Sequence, residues 1–159
     1  MALRNIVTEG DSVLAKKCHP VVKFDERLSI LIDDMKETLE NANGVGLAAP
    51  QVGILRRVVV INIPEINVDV ELVNPEIIEQ SGNQEEMEGC LSCPNEWGIT
   101  KRPMKVTVKA YDRKGEEFTI SGEGLLARCL CHELDHLDGV LFKERTIRML
   151  DESDFALGD

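Results

Sequence analysis

The stretch Cys131-His132-Glu133-Leu134-Asp135-His136 carries the pattern H-E-x-x-H. Two histidines four positions apart share one face of an α-helix, so both imidazoles can reach a single metal ion. Glu133 is rotated by about 100° from His132. It can lean over an open side of the metal without binding it, where a general base for water activation would stand. Two of the chain's three histidines fall in this pattern. The plain alternative is a helix with two surface histidines.

A catalytic metal site of this kind expects a third protein ligand. The segment Glu88-Gly89-Cys90-Leu91-Ser92-Cys93-Pro94 supplies the candidates. Gly89 permits a tight bend that aims Cys90 inward, and a thiolate is a good ligand for Zn(II) or Fe(II). Two histidines and Cys90 leave one tetrahedral position open. A rival reading joins Cys90, Cys93, His132 and His136 into a closed structural zinc site. The two pairs are 38 residues apart, against about 12–15 in a zinc finger, and a structural site has no use for Glu133. A third reading makes Cys90 the nucleophile of a cysteine hydrolase with a histidine base. Cys129, three before His132, is expected to line the pocket, and Cys131 to point away into the core.

These residues need elements to hold them. Leu125, Leu126, Cys129, Leu130, Leu134 and Leu137 recur at helical spacing. The helix is expected to start from Ser121 or Gly122 as N-cap, to end near Asp138 before Gly139, and to be buried. A second, amphipathic helix is predicted from Asp25 to about Asn43, with Leu28, Leu31, Ile32, Met35 and Leu39 as its apolar stripe and Asp33, Asp34, Lys36, Glu37 and Glu40 over much of the rest. Strands are predicted at Arg57–Ile63, at Val70–Val73 closed by Asn74-Pro75, around Ile77-Ile78, and at Lys105–Tyr111 turning through Asp112–Gly115 into Glu116–Ile120. Residues 1–24 read as irregular, with one helical turn and His19 in a loop before Pro20. Strands that mostly precede the metal-motif helix, with hairpins dominant, indicate an α+β fold: antiparallel sheets around one central helix.

The chain's 159 residues suit one domain with a real core, and 43% apolar with 30% charged residues is ordinary for a soluble protein. No apolar run approaches the about 20 residues of a membrane span, and Met1–Asn5 lacks a signal-peptide core. A cytoplasmic protein with five reduced cysteines is expected, five being odd for a disulfide framework. A net charge of −11 speaks against direct, salt-driven nucleic-acid binding. Asp151–Asp159 carries four acids and no base, and reads as a frayed tail.

Gly44-Val45-Gly46-Leu47-Ala48-Ala49-Pro50-Gln51 lacks the Gly-Lys-Ser/Thr ending of a phosphate loop. Its glycines allow unusual φ values and close approach of a ligand to the backbone, and Gln51 is a polar amide among apolar neighbours. Taken alone it is a helix-to-strand loop. Together with Glu88-Gly-Cys-Leu-Ser92 and His132-Glu-Leu-Asp-His-Leu137, it resembles the three signature motifs of the peptide deformylases, in order and at familiar separations. Gly10-Asp11-x-Val13-Leu14 matches that family's start, and the similarity runs from Leu3 to about Phe142. Three motifs are far more specific than H-E-x-x-H alone.

The resemblance implies removal of the formyl group from the N-terminal methionine of newly made proteins, with release of formate. It makes Cys90, His132 and His136 the metal ligands and Glu133 the catalytic acid/base, with Gln51 and the Leu91 N–H binding the developing oxyanion. The usual metal is Fe(II), which zinc, nickel or cobalt can replace. A thiolate ligand tempers the metal's Lewis acidity and is open to oxidation, as is Fe(II). The backbone of Gly44–Gly46 is expected to pair with an extended peptide, and Val45, Leu125 and Cys129 to line a pocket for the methionine side chain. The partners are nascent formyl-methionyl chains close to the ribosome. The chain departs from the family in three places: Cys131 stands where Gln is usual, Cys93-Pro-Asn-Glu-Trp97 follows the second motif, and the acidic end is unlike the basic helix by which some members dock on ribosomes.

Overall fold

The computed structural model describes residues 2–151 and 153–154. The first helix, α1 (Glu26–Asn41), begins where Asp25 accepts a hydrogen bond from the Leu28 N–H at 3.1 Å, which satisfies one of the donors a helix start leaves free. Its predicted stripe is buried. Asp34, expected on the wet face, is buried too, where it holds the Ala2 N–H at 2.7 Å and the Arg4 guanidinium at 2.9 Å.

Five antiparallel strands form the main sheet, in the order β1 (Gly46–Ala48), β2 (Val58–Ile63), β3 (Val68–Ser81), β6 (Lys105–Tyr111), β7 (Glu117–Glu123). The second sheet joins β4 (Gln84–Cys90), β5 (Cys93–Arg102) and β8 (Thr146–Met149) in that order. The second helix, α2 (Leu125–Leu137), packs on β1, β2, β6 and β7. Val59, Ile61 and Ile63 face the α2 side, while Val58 and Val60 face the α1 side. A strand buried on both faces has no wet face to alternate with, so it reads as an unbroken apolar run.

Three boundaries differ from expectation. β3 does not close at Asn74-Pro75: Asn74 adopts φ 50° at a register shift between Val73 and Glu76, and its amide bonds both Val21 N and Val21 O. A bulge absorbs the proline that would otherwise end a strand. Ser121, Gly122 and Glu123 belong to β7, paired with Thr107, Val106 and Lys105, so α2 starts after Gly124 instead. The predicted hairpin simply runs three residues further, until all of Lys105–Tyr111 is paired. The third difference is the β4–β5 hairpin, unforeseen because Gln84-Glu85-Glu86-Met87-Glu88 is too polar to read as a strand. The C-terminal end of α2 agrees with expectation, with Asp138 as C-cap and Gly139 at φ 77°. His19 is an exposed loop residue bridged to Arg56. The predicted tail lies outside the described residues at 152 and 155–159; within it, Asp154 accepts from Arg148 at 3.0 Å and from the Asp151 N–H at 2.8 Å. Among the described residues, no helix is long and apolar enough to cross a membrane.

Candidate metal centre

Helical periodicity brings the rings of His132 and His136 to a centroid separation of 5.0 Å on the face of α2 toward the second sheet. Cys90 ends β4 just before the two-residue turn Leu91-Ser92, where a register irregularity redirects the strand. Donor atoms of Cys90, His132 and His136 all lie within 4.8 Å of one another, with Cys90 Sγ 3.3 Å from His136 Nε2. Gly89 serves differently from expectation. Its φ is not in the left-handed region, and a Cβ there would stand 2.5 Å from the Trp97 ring. Glycine is needed because the indole lies on the strand, and the bend comes from the bulge.

A chain of buried ionic contacts orients His132. Its Nδ1–H donates to Glu88 Oε2 at 2.9 Å, which leaves Nε2 for a metal. Arg102 clamps the same carboxylate through Nη2 at 2.6 Å and Nε at 3.0 Å, and Thr100 donates to it at 3.2 Å. The third arm of Arg102 reaches Asp135 at 2.9 Å, which Arg145 also meets at 3.2 Å. Burial opposes ionisation of Glu88, yet the hydrogen bonds from His132 and Arg102 hold its carboxyl down at about 2. From sequence, Glu88 and Arg102 are candidates for a structural pair and Asp135 for a supporting place on the motif helix, with nothing to show that they meet; Thr100 and Arg145 give no such sign. The available signal was period two: once the hairpin turns at Leu91-Ser92, Glu88, Thr100 and Arg102 fall on one face.

The electrostatics fit a bound cation. Burial pushes His136 down to about 3, so its imidazole is neutral at physiological pH. Its Nδ1 and the Glu133 Oε1 are buried without hydrogen-bond partners. Burial lifts the Glu133 carboxyl to about 7. The Cys90 thiol is pushed far up by the neighbouring Cys93 thiol, by burial and by the Glu133 charge. A thiol held protonated beside a neutral imidazole is the opposite of the ion pair that a cysteine nucleophile needs. A divalent cation would supply the positive charge that this donor set lacks. Cys93 does not join these three donors; its thiol groups with Glu9 and Glu96 instead, which argues against the closed four-ligand zinc site.

The expected site residues converge on one cavity of about 450 Å³. Gly44, Val45, Gly46, Gln51, Cys90, Leu91, Leu125, Cys129, His132 and Glu133 line it, and His136 is buried behind. Met87 and Arg128 also line it and were not foreseen; Cys93 and Trp97, from the segment after the second motif where the chain departs from the family, line it too. Gln51 sits on the 3-10 turn Ala49–Val52. Its carbonyl accepts from the Ala48 N–H at 3.0 Å, and its NH₂ lies 3.1 Å from Ser92 Oγ and 3.6 Å from Cys90 Sγ. Gly44 and Gly46 do not use the left-handed region that their glycines would allow. A Cβ on Gly46 would fall 2.6 Å from Glu133 Oε2, and one on Gly44 would fall 2.8 Å from Leu91 Cδ1. They make room for neighbouring side chains. Cys131 is buried in the α2 core, as expected.

The chain is similar to known proteins. A family described as polypeptide deformylase matches residues 3–152. Peptide deformylase of Caldicellulosiruptor bescii is 57% identical over 154 residues, covering 97% of this chain and 92% of its own length. That of Acetivibrio thermocellus is 53% identical, covering 97% and 89%. A crystal structure of a peptide deformylase from Legionella pneumophila superposes with TM-score 0.87 at 46% identity, covering 98% of this chain and 90% of that one. One from Ehrlichia chaffeensis in complex with actinonin gives 0.89 at 37% identity, covering 99% and 95%. This chain belongs to the polypeptide deformylase family, metalloenzymes that remove the formyl group from the N-terminal methionine of nascent polypeptides.

Proposed function

We propose that this chain acts as one catalytic domain that deformylates formyl-methionyl peptides, with Cys90, His132 and His136 holding the metal and Glu133 moving the proton. The observation that carries this reading is the buried Glu133 carboxylate, unpartnered at Oε1 beside the three converging donors. Held by Cys90, His132 and His136, a divalent cation would supply Lewis acidity for water and for the formyl oxygen. Glu133, lifted toward neutrality by burial, takes a proton from the attacking water and delivers it to the departing amine nitrogen. A carboxyl that titrates near the working pH can perform both halves. Negative charge develops on the formyl oxygen, where the Gln51 NH₂ and the Leu91 N–H donate. One such preorganised donor is worth about 3–4 kcal/mol in the transition state. Gln51 arrives oriented, because its carbonyl is already engaged by Ala48.

Substrate orientation falls to β1. It is an edge strand of the main sheet, bonded to β2 on one side only, and its other edge offers free backbone groups to an extended peptide. Val45, Leu125 and Cys129 form the apolar wall for the methionine side chain. The native metal in this reading is Fe(II), and the setting is the cytoplasm, where chains leave the ribosome. The test is formate release from a formyl-methionyl peptide by protein purified without oxygen, with metal analysis of the same sample. Release that a chelator abolishes and Fe(II) restores supports the reading. Release that survives complete removal of the metal contradicts it.

A further inference from the structure

Cys93 is a buried thiol for which the reaction has no use. It sits directly opposite Cys90 across the β4–β5 turn, the two being register partners. Directly opposed residues of an antiparallel pair have Cα atoms about 4.5–5.5 Å apart, inside the range of about 4.4–6.8 Å that a disulfide spans. Both thiols are free. Their access differs. Cys90 is half-buried on the wall of the cleft, whereas Cys93 is 1% exposed and packed by Glu9 and Glu96, which Lys143 bridges at 2.7 Å each. An oxidant entering the cleft therefore meets Cys90 first and finds a second thiol immediately behind it. This is the arrangement of an attacked cysteine with a resolving partner.

We propose that Cys90 and Cys93 form a reversible disulfide, driven by peroxide, that withdraws Cys90 from the metal-binding set. In the first step Cys90, deprotonated as a ligand must be, bonds through its sulfur to one peroxide oxygen as the O–O bond breaks, giving a sulfenic acid and a hydroxide that a solvent proton turns to water. In the second, the Cys93 sulfur attacks the Cys90 sulfur, the S–S bond forms, and the sulfenic oxygen leaves as a second water with the thiol proton. Two thiols lose two electrons in all, and the peroxide gains them. A dithiol reverses the change by exchange. The disulfide halts the ligand thiol short of sulfinic and sulfonic acid, from which it could not return. The metal-release half of the proposal rests on Cys90 being a ligand.

The experiment uses zinc-loaded protein, because Zn(II) has no redox chemistry of its own and peroxide then acts on the protein alone. The tryptic peptide Val58–Lys101 contains Cys90 and Cys93 and no other cysteine. After peroxide it is expected to be lighter by two hydrogens, to resist alkylation until dithiothreitol is added, and to appear in step with zinc released to a coloured chelator. In Cys93→Ser, checked for folding by circular dichroism, Cys90 is expected to run on to sulfinic and sulfonic acid that dithiothreitol does not reverse. The wild-type peptide decides the matter even where that variant does not fold. Irreversible oxidation of Cys90 with Cys93 still open to alkylation overturns the disulfide and leaves the ligand reading untouched. A formed disulfide with zinc retained overturns the release, and with it the assignment of Cys90 as ligand.

Discussion

His132 and Trp97 look into the same cavity, yet they are held in different ways. His132, on the floor, is 7% exposed, and its far nitrogen is tied through Glu88, Arg102 and Asp135 to Arg145. Trp97, on the rim, is 41% exposed and rests on the bare backbone of Gly89. Met87, Val45 and Leu125 share the rim and are likewise exposed. The floor is charged, dry and pinned; the rim is apolar, wet and loosely held. Chemistry needs donors fixed before the substrate arrives, whereas accepting many protein sequences needs a surface that asks little beyond methionine.

The contrast can be broken most heavily at Arg102. Arg102→Met leaves Glu88 and Asp135 buried without their shared cation, which typically costs about 3–5 kcal/mol. A large drop in melting temperature is expected, with metal affinity weakened by about 10–100-fold as His132 loses its fixed orientation. Stability unchanged within error would mean that the network is not what pins the floor. At the junction of floor and rim, Gly46→Ala would place a methyl against Glu133 Oε2 and Cys129 Sγ. Overpacking of this kind costs about 1–3 kcal/mol, and kcat should fall along with stability because the displaced group is Glu133. A fall in stability alone would separate Gly46 from the chemistry.

Acid–base behaviour sharpens the picture in metal-stripped protein. Glu133 titrates at about 7 when folded, raised by burial above the ordinary 4.5. Folding therefore favours its protonated form, and that contribution is fully present below the unfolded value and lost as pH rises through the folded one. Glu133→Gln has no such group, so its stability relative to the parent should grow between about pH 4.5 and 7 and level off above. Taking the difference removes His136, whose burial gives a dependence of the opposite sign. Urea unfolding of both proteins across that range measures it; a constant difference would mean that Glu133 is not desolvated. The smallest effect is expected on the rim. Trp97→Ala should raise KM a few-fold, leave kcat nearly unchanged and shift stability by less than about 1 kcal/mol, since half-exposed aromatics bury only part of their area. A kcat loss as large as that of a floor variant would erase the distinction.

The same contrast governed what could be read from the sequence. His132, Glu133 and His136 were legible because helical spacing alone sets them on one face, and α1 because its stripe and Asp25 are local. Cys90 stood out beside Gly89, but the closed site that adds Cys93 stayed open until the resemblance was weighed, since both cysteines flank one turn and only the folded hairpin shows Cys93 grouped with Glu9 and Glu96. Glu88 to Arg102 stayed hidden because an acid-rich strand does not look like one until its partner is known. The Ser121–Glu123 misreading has the same cause: a start signal for a helix was overruled by pairing with β6. Gly44, Gly46 and Gly89 were recognised as special for a conformational reason, whereas packing against Leu91, Glu133 and Trp97 is what excludes a side chain.

The central claim is that Glu133 moves the proton beside a metal held by Cys90, His132 and His136. The most direct measurement is formate release by Glu133→Gln beside the parent, with metal content determined on both. Full metal occupancy in the variant and a kcat lower by about 10²–10⁴-fold are expected. A metal-loaded variant that releases formate at the parental rate would contradict the claim.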